Sequence, residues 1–288
     1  CGTCIHVCPV SALRSNPVRP IERTKTPPCS EHCPAGNDVE GFLRLMKEER
    51  FEDALFLLHR TNSFPAITGR VCFHPCEEGC NRKGLDSPVS IFQMERRVSQ
   101  YEPRPSPPSV PRRKEQIAVV GSGPAGLTCA YYLLQKGYGV TLFEAQPLLG
   151  GWLRYGIPEY RLPKKILDQE VEKLLALGLR VKKSMKVGAD ISFGELESFD
   201  AVFIASGRHR DAKLHIPGEE SKDGFPGGGF LNRARGGGFH LLGKRVAVIG
   251  GGNSAVDAAR VALRLGSKTT LIYRRSRKEM PAYPSEVK

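Results

Sequence analysis

The stretch Ile117-Ala-Val-Val-Gly121-Ser-Gly123-Pro124-Ala125-Gly126 decides the fold of the C-terminal half of this chain. Its apolar residues predict a strand, and its glycines predict a sharp turn into a helix. The first glycine permits the turn, the second lets the backbone approach a pyrophosphate, and the third lets helix and strand pack closely. The pyrophosphate would then lie on the free N–H groups and the positive dipole end of that helix.

A second stretch repeats the pattern later in the chain. The apolar run Val246–Ile249 is followed by Gly250-Gly-Gly252-Asn253-Ser254-Ala255. Two ordinary strand–helix turns would be the alternative interpretation of the pair. Because both stretches carry the correct flanks, we expect two dinucleotide sites in an α/β fold.

The residues that end the next strand differ between the two stretches. The first is followed by Val140-Thr-Leu-Phe-Glu144, and the second by Thr269–Tyr273 and then Arg274-Arg275. A carboxylate accepts hydrogen bonds from ribose hydroxyls and repels a 2′-phosphate, whereas arginine binds such a phosphate. The sequence therefore predicts FAD or NAD at the first site and NADP(H) at the second.

Composition excludes few classes of protein. The chain has 288 residues, 40% hydrophobic and 25% charged, and a net charge of +13. No apolar run is long enough to span a membrane. The basic residues are dispersed and are not interleaved with aromatic residues, so we predict no nucleic-acid partner.

Eight of the nine cysteines lie within residues 1–80. Disulfides would require an oxidising compartment, whereas a nucleotide-binding enzyme of this kind is expected in the cytoplasm, so metal clusters are favoured. Cys1-Gly-Thr-Cys4-Ile-His-Val-Cys8-Pro9 matches the end of the bacterial ferredoxin run that binds a [4Fe-4S] cluster. Zinc is the alternative, although the spacing before Cys8 fits it poorly.

Two further groups of cysteines are Cys29-x3-Cys33-Pro and Cys72-x3-Cys76-x3-Cys80. With the stretch 121–126, they resemble the small subunit of NADPH-dependent glutamate synthase. They also resemble the NADPH-side subunit of the bifurcating NADH-dependent ferredoxin:NADP oxidoreductase and the N-terminal half of dihydropyrimidine dehydrogenase. The resemblance covers 26–288 and includes Leu149–Pro158 and Tyr273–Ala282.

This resemblance implies FAD at the first site, NADPH at the second and [4Fe-4S] clusters in an N-terminal helical domain. It implies that Cys33, Cys72 and Cys76 hold one cluster, with Glu95 as the fourth ligand; a solvated helix residue is the alternative for Glu95. Cys29 and Cys80 would share a second cluster, but the relatives' additional Cys-x2-Cys pair is missing between Cys8 and Cys29. The flavin site is expected to include Gly150, Gly151 and Gly207.

The predicted fold is an α/β flavoprotein with two Rossmann-like dinucleotide sites and an N-terminal helical iron–sulfur domain, in a chain expected to be truncated at both ends. We expect the second nucleotide domain to be inserted into the first. The expected segments are a ferredoxin end (1–13), a linker (14–28), the iron–sulfur domain (29–100), a proline-rich linker (101–114), the first part of the FAD domain (115–210), a connection (211–243) and the start of the NADP(H) domain (244–288).

Local patterns predict several elements. Asn37 or Asp38 should cap a helix, and another should cover Phe51–His59. A helix over Lys164–Leu177 should direct Leu175 inward, and Gly224–Gly238 should be flexible.

These features predict a redox subunit that moves electrons between NADP(H), FAD and [4Fe-4S] clusters. A flavin is expected between the nucleotide and the clusters because it accepts a hydride pair and releases electrons singly. The expected partners are other redox subunits, of the hydrogenase, formate dehydrogenase or bifurcating transhydrogenase type, and ferredoxin. A glutamate synthase small subunit and a non-catalytic electron relay are the alternatives.

Overall fold

The computed structural model describes residues 26–101, 110–208, 211, 213–235 and 245–287. Cys1, Cys4 and Cys8 lie outside the described residues, so the predicted ferredoxin segment does too. The described residues divide into two compact units. Among these residues, the first unit contains those up to Val110 together with Glu172–Leu177, and the second contains Pro111–Val171 and those from Gly178 onward.

The described part of the first unit up to Tyr101 is helical. Its helices are α1 (Pro28–Glu31), α2 (Val39–Lys47), α3 (Phe51–His59), α4 (Pro65–Val71), α5 (Pro75–Glu78) and α6 (Ile91–Val98), with a 3₁₀ turn at Asn81–Gly84.

Helix α2 shows how the sequence produces this unit. Asp38 is its N-cap, with a side-chain oxygen that accepts a hydrogen bond from the Gly41 N–H at 2.8 Å, as the sequence predicted. Phe42 on α2 packs against Leu55 and Leu58 of α3 in one buried cluster. Cys29 and Cys76 belong to the same cluster, so the apolar core also positions two of the cysteine-bearing helices.

The second unit is built on two parallel sheets. The first has the strand order β3-β2-β1-β4, and the second pairs β5 with β6. Their bounds are β1 (Gln116–Val120), β2 (Gly139–Glu144), β3 (Arg180–Lys183), β4 (Ala201–Ile204), β5 (Arg245–Ile249) and β6 (Lys268–Ile272).

Helices connect the strands as parallel pairing requires. They are α7 (Pro124–Gln135), α8 (Trp152–Tyr155), α9 (Lys164–Ala176), α10 (Phe193–Leu196), α11 (Gly227–Ala234) and α12 (Asn253–Arg264), followed by a 3₁₀ turn at Arg277–Glu279. Strand β1 is central, with Ala118 and Val119 fully buried. The two predicted strand–turn–helix stretches are therefore confirmed as β1–α7 and β5–α12.

Two local predictions were wrong. Leu175 points outward with 46% of its surface exposed, because the inward stripe of α9 is already filled by Leu167, Val171 and Leu174. The described part of Gly224–Gly238, which we predicted to be a flexible connection, contains the helix α11. Phe230 and Leu231 of that helix are buried against α12, and this burial outweighs the low helix propensity of its glycines.

No helix within the described ranges is both long and apolar enough to cross a bilayer.

Candidate functional site: two nucleotide turns and a cysteine group

The first glycine turn is shaped by close backbone approaches. Gly121 has φ of +101°, and a Cβ there would meet the carbonyl oxygen of Ala205. A Cβ on Gly126 would collide with the carbonyl oxygen of Gly121. Apart from its chain neighbours, no described residue comes within 4 Å of where a Cβ on Gly123 would lie, so this face of the turn is open. The turn has the closed helix–strand packing and the open approach that a pyrophosphate requires.

Pro124 and Ala125 are exposed in the first turn of α7, next to this open face. Gly207 follows β4 with φ of +71°. The Cα of its neighbour Ser206 lies 3.3 Å from where a Cβ on Gly121 would be, so the end of β4 forms a second wall of the turn.

Glu144 ends β2 with only 7% of its surface exposed. Its Oε2 accepts hydrogen bonds from the Ser122 backbone N–H at 2.9 Å and from the Ser122 hydroxyl at 2.5 Å. Its Oε1 accepts one from the Gln146 N–H at 2.8 Å. The carboxylate is thus held at the strand tip as an acceptor, which is what ribose hydroxyls need.

Ser122 is a buried residue of the first turn that the sequence patterns did not single out. It occupies the variable position between two fingerprint glycines, is fully buried, and accepts a hydrogen bond from the Gly150 N–H at 3.0 Å. One hydroxyl therefore joins Glu144 to the Gly150-Gly151 segment. The signal available in the sequence was a small hydroxyl residue at a position that tolerates many side chains.

Gly150 and Gly151 pass directly over the first turn. Gly150 has φ of +121°, and a Cβ on Gly151 would lie 2.7 Å from the Cα of Gly123. The segment after them is fixed by Lys164, whose Nζ donates to the carbonyls of Leu153, Ile157 and Leu162. Burial lowers the pKa of Lys164 to about 8. At Gly150 and Gly151 themselves a larger residue does not fit, because a Cβ would lie 2.6 Å from Leu167 Cδ2 and 2.7 Å from Gly123 Cα, respectively.

The second glycine turn has the same form. Gly250 has φ of +142°, and its N–H donates to the Ile272 carbonyl at 2.9 Å. Ala255 occupies the third fingerprint position, and its Cβ lies 3.0 Å from where a Cβ on Gly250 would be. In the described ranges, only chain neighbours come within 4 Å of where a Cβ on Gly252 would lie, and Ser254 is exposed in the first turn of α12.

A later segment folds against this second turn. The Ala282 N–H donates to the Gly251 carbonyl at 3.0 Å, and the Tyr283 N–H donates to Oδ1 of Asn253 at 2.9 Å. Tyr273 packs its ring against Gly251 and donates its hydroxyl to the Glu279 carbonyl at 3.1 Å. The turn is therefore braced on one side by residues 279–283.

Arg274 and Arg275 follow β6 and are exposed. Neither guanidinium has a hydrogen bond or ion pair with any residue that the structure describes. Two uncommitted positive charges at the tip of the strand after the second turn would suit a 2′-phosphate, whereas the matching position of the first site carries Glu144.

The five cysteines that the structure describes in the first unit lie on or next to short helices. Cys29 is on α1 and Cys33 follows it, Cys72 follows α4, Cys76 is on α5 and Cys80 follows α5. Cys29, Cys76 and Cys80 are buried, each with 8% of its surface exposed.

The pKa shifts of Cys72 and Cys76 indicate that three of these thiols are electrostatic neighbours, and that Glu95 is a neighbour of Cys72. Burial, together with the charges of Glu95 and Cys33, raises the pKa of Cys72. Burial, with the charges of Glu77, Cys33 and Cys72, raises the pKa of Cys76 to about 12. Neighbouring acids and thiols that disfavour one another's charge become stable as thiolates when cations lie among them.

Glu95 lies on α6 with 8% of its surface exposed, and burial raises its pKa. Its Oε1 accepts hydrogen bonds from Asn62 Nδ2, at 3.0 Å, and from the Thr68 hydroxyl. Its Oε2 accepts none from the described residues, so one carboxylate oxygen stays available as a ligand.

The donor set fits an iron–sulfur cluster better than a single ion. Among the described residues, no three His, Cys, Asp or Glu side chains converge on one ion position. A [4Fe-4S] cluster instead takes each ligand on a different iron and needs ligands spaced around a cubane. Cys33, Cys72, Cys76 and Glu95 offer the thiol and carboxylate donors that such a cluster could take.

Comparisons with known proteins agree with both units. The family model described as pyridine nucleotide-disulphide oxidoreductase matches residues 115–288. The family model described as dihydropyrimidine dehydrogenase domain II, 4Fe-4S cluster, matches residues 19–105.

Two curated relatives cover most of the chain. The NADPH-Fe(3+) oxidoreductase subunit beta of Geobacter sulfurreducens is 43% identical over 273 residues, which is 91% of this chain and 41% of the relative. The NADP(+)-dependent formate dehydrogenase subunit beta of Moorella thermoacetica is 41% identical, with the same two coverages of 91% and 41%. The chain thus spans about two fifths of the length of these relatives.

A solved structure gives a similar result for the α/β unit. Mycobacterium tuberculosis FprA in complex with NADPH matches with a TM-score of 0.53 and 27% identity, over 60% of this chain and 46% of that one.

Proposed function

The chain belongs to the pyridine nucleotide-disulphide oxidoreductase family, and from that premise we propose that it moves electrons between NADP(H), FAD and [4Fe-4S] clusters within a larger redox enzyme. FAD and NADP(H) are the cofactors of its α/β unit, and the match of residues 19–105 adds a [4Fe-4S] cluster to the helical unit. One observation carries the proposal. In the same unit, the strand that follows the first nucleotide turn ends in the acidic Glu144, whereas the strand that follows the second is succeeded by the basic Arg274 and Arg275.

In this proposal the first turn holds FAD. The N–H groups of Gly123, Ala125 and Gly126 and the dipole of α7 face the pyrophosphate, with Pro124 in the first turn of that helix, and Glu144 accepts hydrogen bonds from the ribose hydroxyls. Gly150 and Gly151, with Gly207 on the opposite wall, shape the passage toward the flavin ring. FAD supplies the ability to accept a hydride and release its two electrons one at a time.

The second turn holds NADP(H). The start of α12 at Asn253, Ser254 and Ala255 faces the pyrophosphate, with Gly250 and Gly252 permitting the approach. Arg274 and Arg275 bind the 2′-phosphate, since their guanidinium groups are exposed and have no partner among the described residues.

We assign Cys33, Cys72, Cys76 and Glu95 to one cluster. The shared electrostatics of the three thiols and the free Oε2 of Glu95 support this ligand set. The buried Cys29 and Cys80 are candidates for a second cluster whose other ligands lie elsewhere. Cys1, Cys4 and Cys8, outside the described residues, remain our prediction for the ferredoxin-like cluster.

The partners are further redox subunits. Two curated relatives are each named as a beta subunit, one of an NADPH-Fe(3+) oxidoreductase and one of an NADP(+)-dependent formate dehydrogenase. These names favour a complex of the formate dehydrogenase type over glutamate synthase, and ferredoxin is a further candidate acceptor. We place the protein in the cytoplasm, because thiolate clusters need a reducing compartment.

The test uses the full chain loaded with FAD, iron and sulfide under anaerobic conditions. NADPH should bleach the flavin absorbance, and NADH should do so only at much higher concentration. Flavin that stays oxidised with both nucleotides would leave only a relay role and overturn the proposal. Purification of the native complex then separates the partner types, since a glutamate-forming subunit would identify glutamate synthase.

A further inference from the structure

A buried polar junction in the α/β unit involves none of the fingerprint residues of the two nucleotide turns. Its centre is Asp257, with 5% of its surface exposed. Asp257 Oδ1 accepts a hydrogen bond from the Tyr160 hydroxyl at 2.9 Å, and its Oδ2 accepts one from Arg161 Nη1 at 2.7 Å. The side chains of this Arg161–Asp257 pair are 12% and 7% exposed, so the ion pair is largely shielded from solvent.

Further charges surround the same tyrosine. The guanidinium of Arg264 lies 3.9 Å from the centre of the Tyr160 ring, and that of Arg260 lies 4.8 Å from it. Glu286 pairs with Arg260 and lies 3.6 Å from Arg161 Nε. Burial, with the charge of Asp257, raises the pKa of Tyr160, so its hydroxyl keeps the proton that it donates.

The junction joins the segments that serve the two nucleotides. Tyr160 and Arg161 lie between α8 and α9, on the segment that starts at Gly150-Gly151 over the first turn. Asp257 lies on α12, the helix that begins at the second turn. Glu286 ends the segment that contacts Gly251 and Asn253 through Ala282 and Tyr283.

Energetics indicate what such a junction does. A buried ion pair is weak evidence for stability, because desolvation of both charges offsets much of their attraction. Its bonds are directional, however, so Asp257 accepts Tyr160 and Arg161 in one geometry, whereas an apolar contact at that place could slide. The junction therefore fixes the position of α12 relative to the Gly150–Pro163 segment.

We propose that Asp257, acting through Tyr160 and Arg161, is a positioning residue for hydride transfer between the two nucleotide sites. The inference rests on the proposed function, because it requires a nicotinamide at the second turn and a flavin at the first. Reacting atoms must approach to about 3–3.5 Å, and a displacement of about 1 Å can cost about 100-fold in rate. The side chain of Asp257 hydrogen-bonds to Tyr160 and Arg161 and not to either nucleotide turn; it sets how far apart the occupants of the turns lie.

The test compares Asp257→Asn with the wild type in the FAD-loaded full chain. Anaerobic rapid mixing with NADPH gives the flavin reduction rate at saturation and the NADPH dissociation constant separately. The reduction rate should fall by about 10- to 100-fold, while the dissociation constant changes by less than about threefold and FAD content stays the same. Deuterium at the transferred position of NADPH should slow the variant's reduction, because hydride transfer limits it.

Glu220→Gln is the matched control, since Glu220 forms an exposed ion pair with Lys213 in the same unit, at 2.6 Å. It should reduce flavin at the wild-type rate. Tyr160→Phe removes only the hydroxyl and should lower the flavin reduction rate by about 2- to 10-fold. If Asp257→Asn does not retain FAD, the reduction rate of Tyr160→Phe tests the inference in its place.

Three results would overturn the inference: an unchanged reduction rate, a defect confined to NADPH affinity, or a loss that only follows FAD content and thermal stability. A wild type that NADPH cannot reduce would instead overturn the proposed function, so the two failures are distinguishable.

Discussion

Replacing Arg274 and Arg275 together with serine tests the assignment of the second site. Both side chains are exposed and have no partner among the described residues, so their loss should leave folding unchanged. A hydrogen bond to a charged group contributes about 1.5–3 kcal/mol. At the lower end, because solvent screens exposed charges, two arginines contribute about 3 kcal/mol to NADPH binding, which is about 150-fold in dissociation constant.

The assay is anaerobic flavin reduction at varied NADPH and NADH. The dissociation constant for NADPH should rise by about 100-fold, and that for NADH by less than about threefold, because NADH carries a hydroxyl where NADPH carries the phosphate. Salt should weaken NADPH binding to the wild type more than to the variant.

The matched control replaces Arg112 and Lys114, two exposed basic residues of the same unit, with serine. It removes the same net charge and should leave NADPH affinity within about twofold. Equal losses for NADPH and NADH, or an equal loss in the control, would refute a specific 2′-phosphate contact and leave only long-range attraction.

Four other changes have defined outcomes. Ser122→Ala removes the hydroxyl that bonds both Glu144 and Gly150 and should weaken FAD binding by about 10- to 100-fold; FAD retained fully on ultrafiltration would contradict this. Gly126→Ala places a methyl group against the Gly121 carbonyl and should yield protein without flavin but with its normal iron content, so flavin loading equal to wild type would count against the turn. Glu95→Gln keeps an oxygen ligand and should retain iron, whereas Glu95→Ala should lose cluster iron; full iron in the alanine variant would exclude Glu95 as a ligand. Burial lowers the pKa of His59 from 6.5 to about 4, so between these pH values the unfolded state binds more protons than the folded state. The free energy of unfolding should therefore fall by up to about 3 kcal/mol as pH decreases from 6.5 to 4. His59→Gln should lose that component of the pH dependence, and identical pH dependence in both proteins would contradict it.

Sequence patterns were sufficient for the parts of the fold set by local backbone requirements. The glycine turns, the strand ending at Glu144 and the Asp38 cap each follow from short-range sterics or hydrogen bonding. They could be predicted because few residue types satisfy those positions.

Residues that act through distant contacts were not predictable in the same way. Ser122 and Asp257 owe their roles to partners in Gly150 and Tyr160, which are adjacent only after folding. The helix at Gly227–Ala234 was missed for a similar reason, because tertiary burial of Phe230 and Leu231 overrides glycine propensity.

The central claim is that this chain converts the two electrons of NADPH into single electrons on clusters. Anaerobic rapid mixing with NADPH, followed by freezing at successive times, measures flavin bleaching and the electron paramagnetic resonance of reduced [4Fe-4S] clusters in the same samples. We predict that the flavin bleaches first and that the cluster signal then grows as electrons leave it. A flavin that is fully reduced while the clusters stay oxidised, or clusters reduced before any bleaching, would contradict the account.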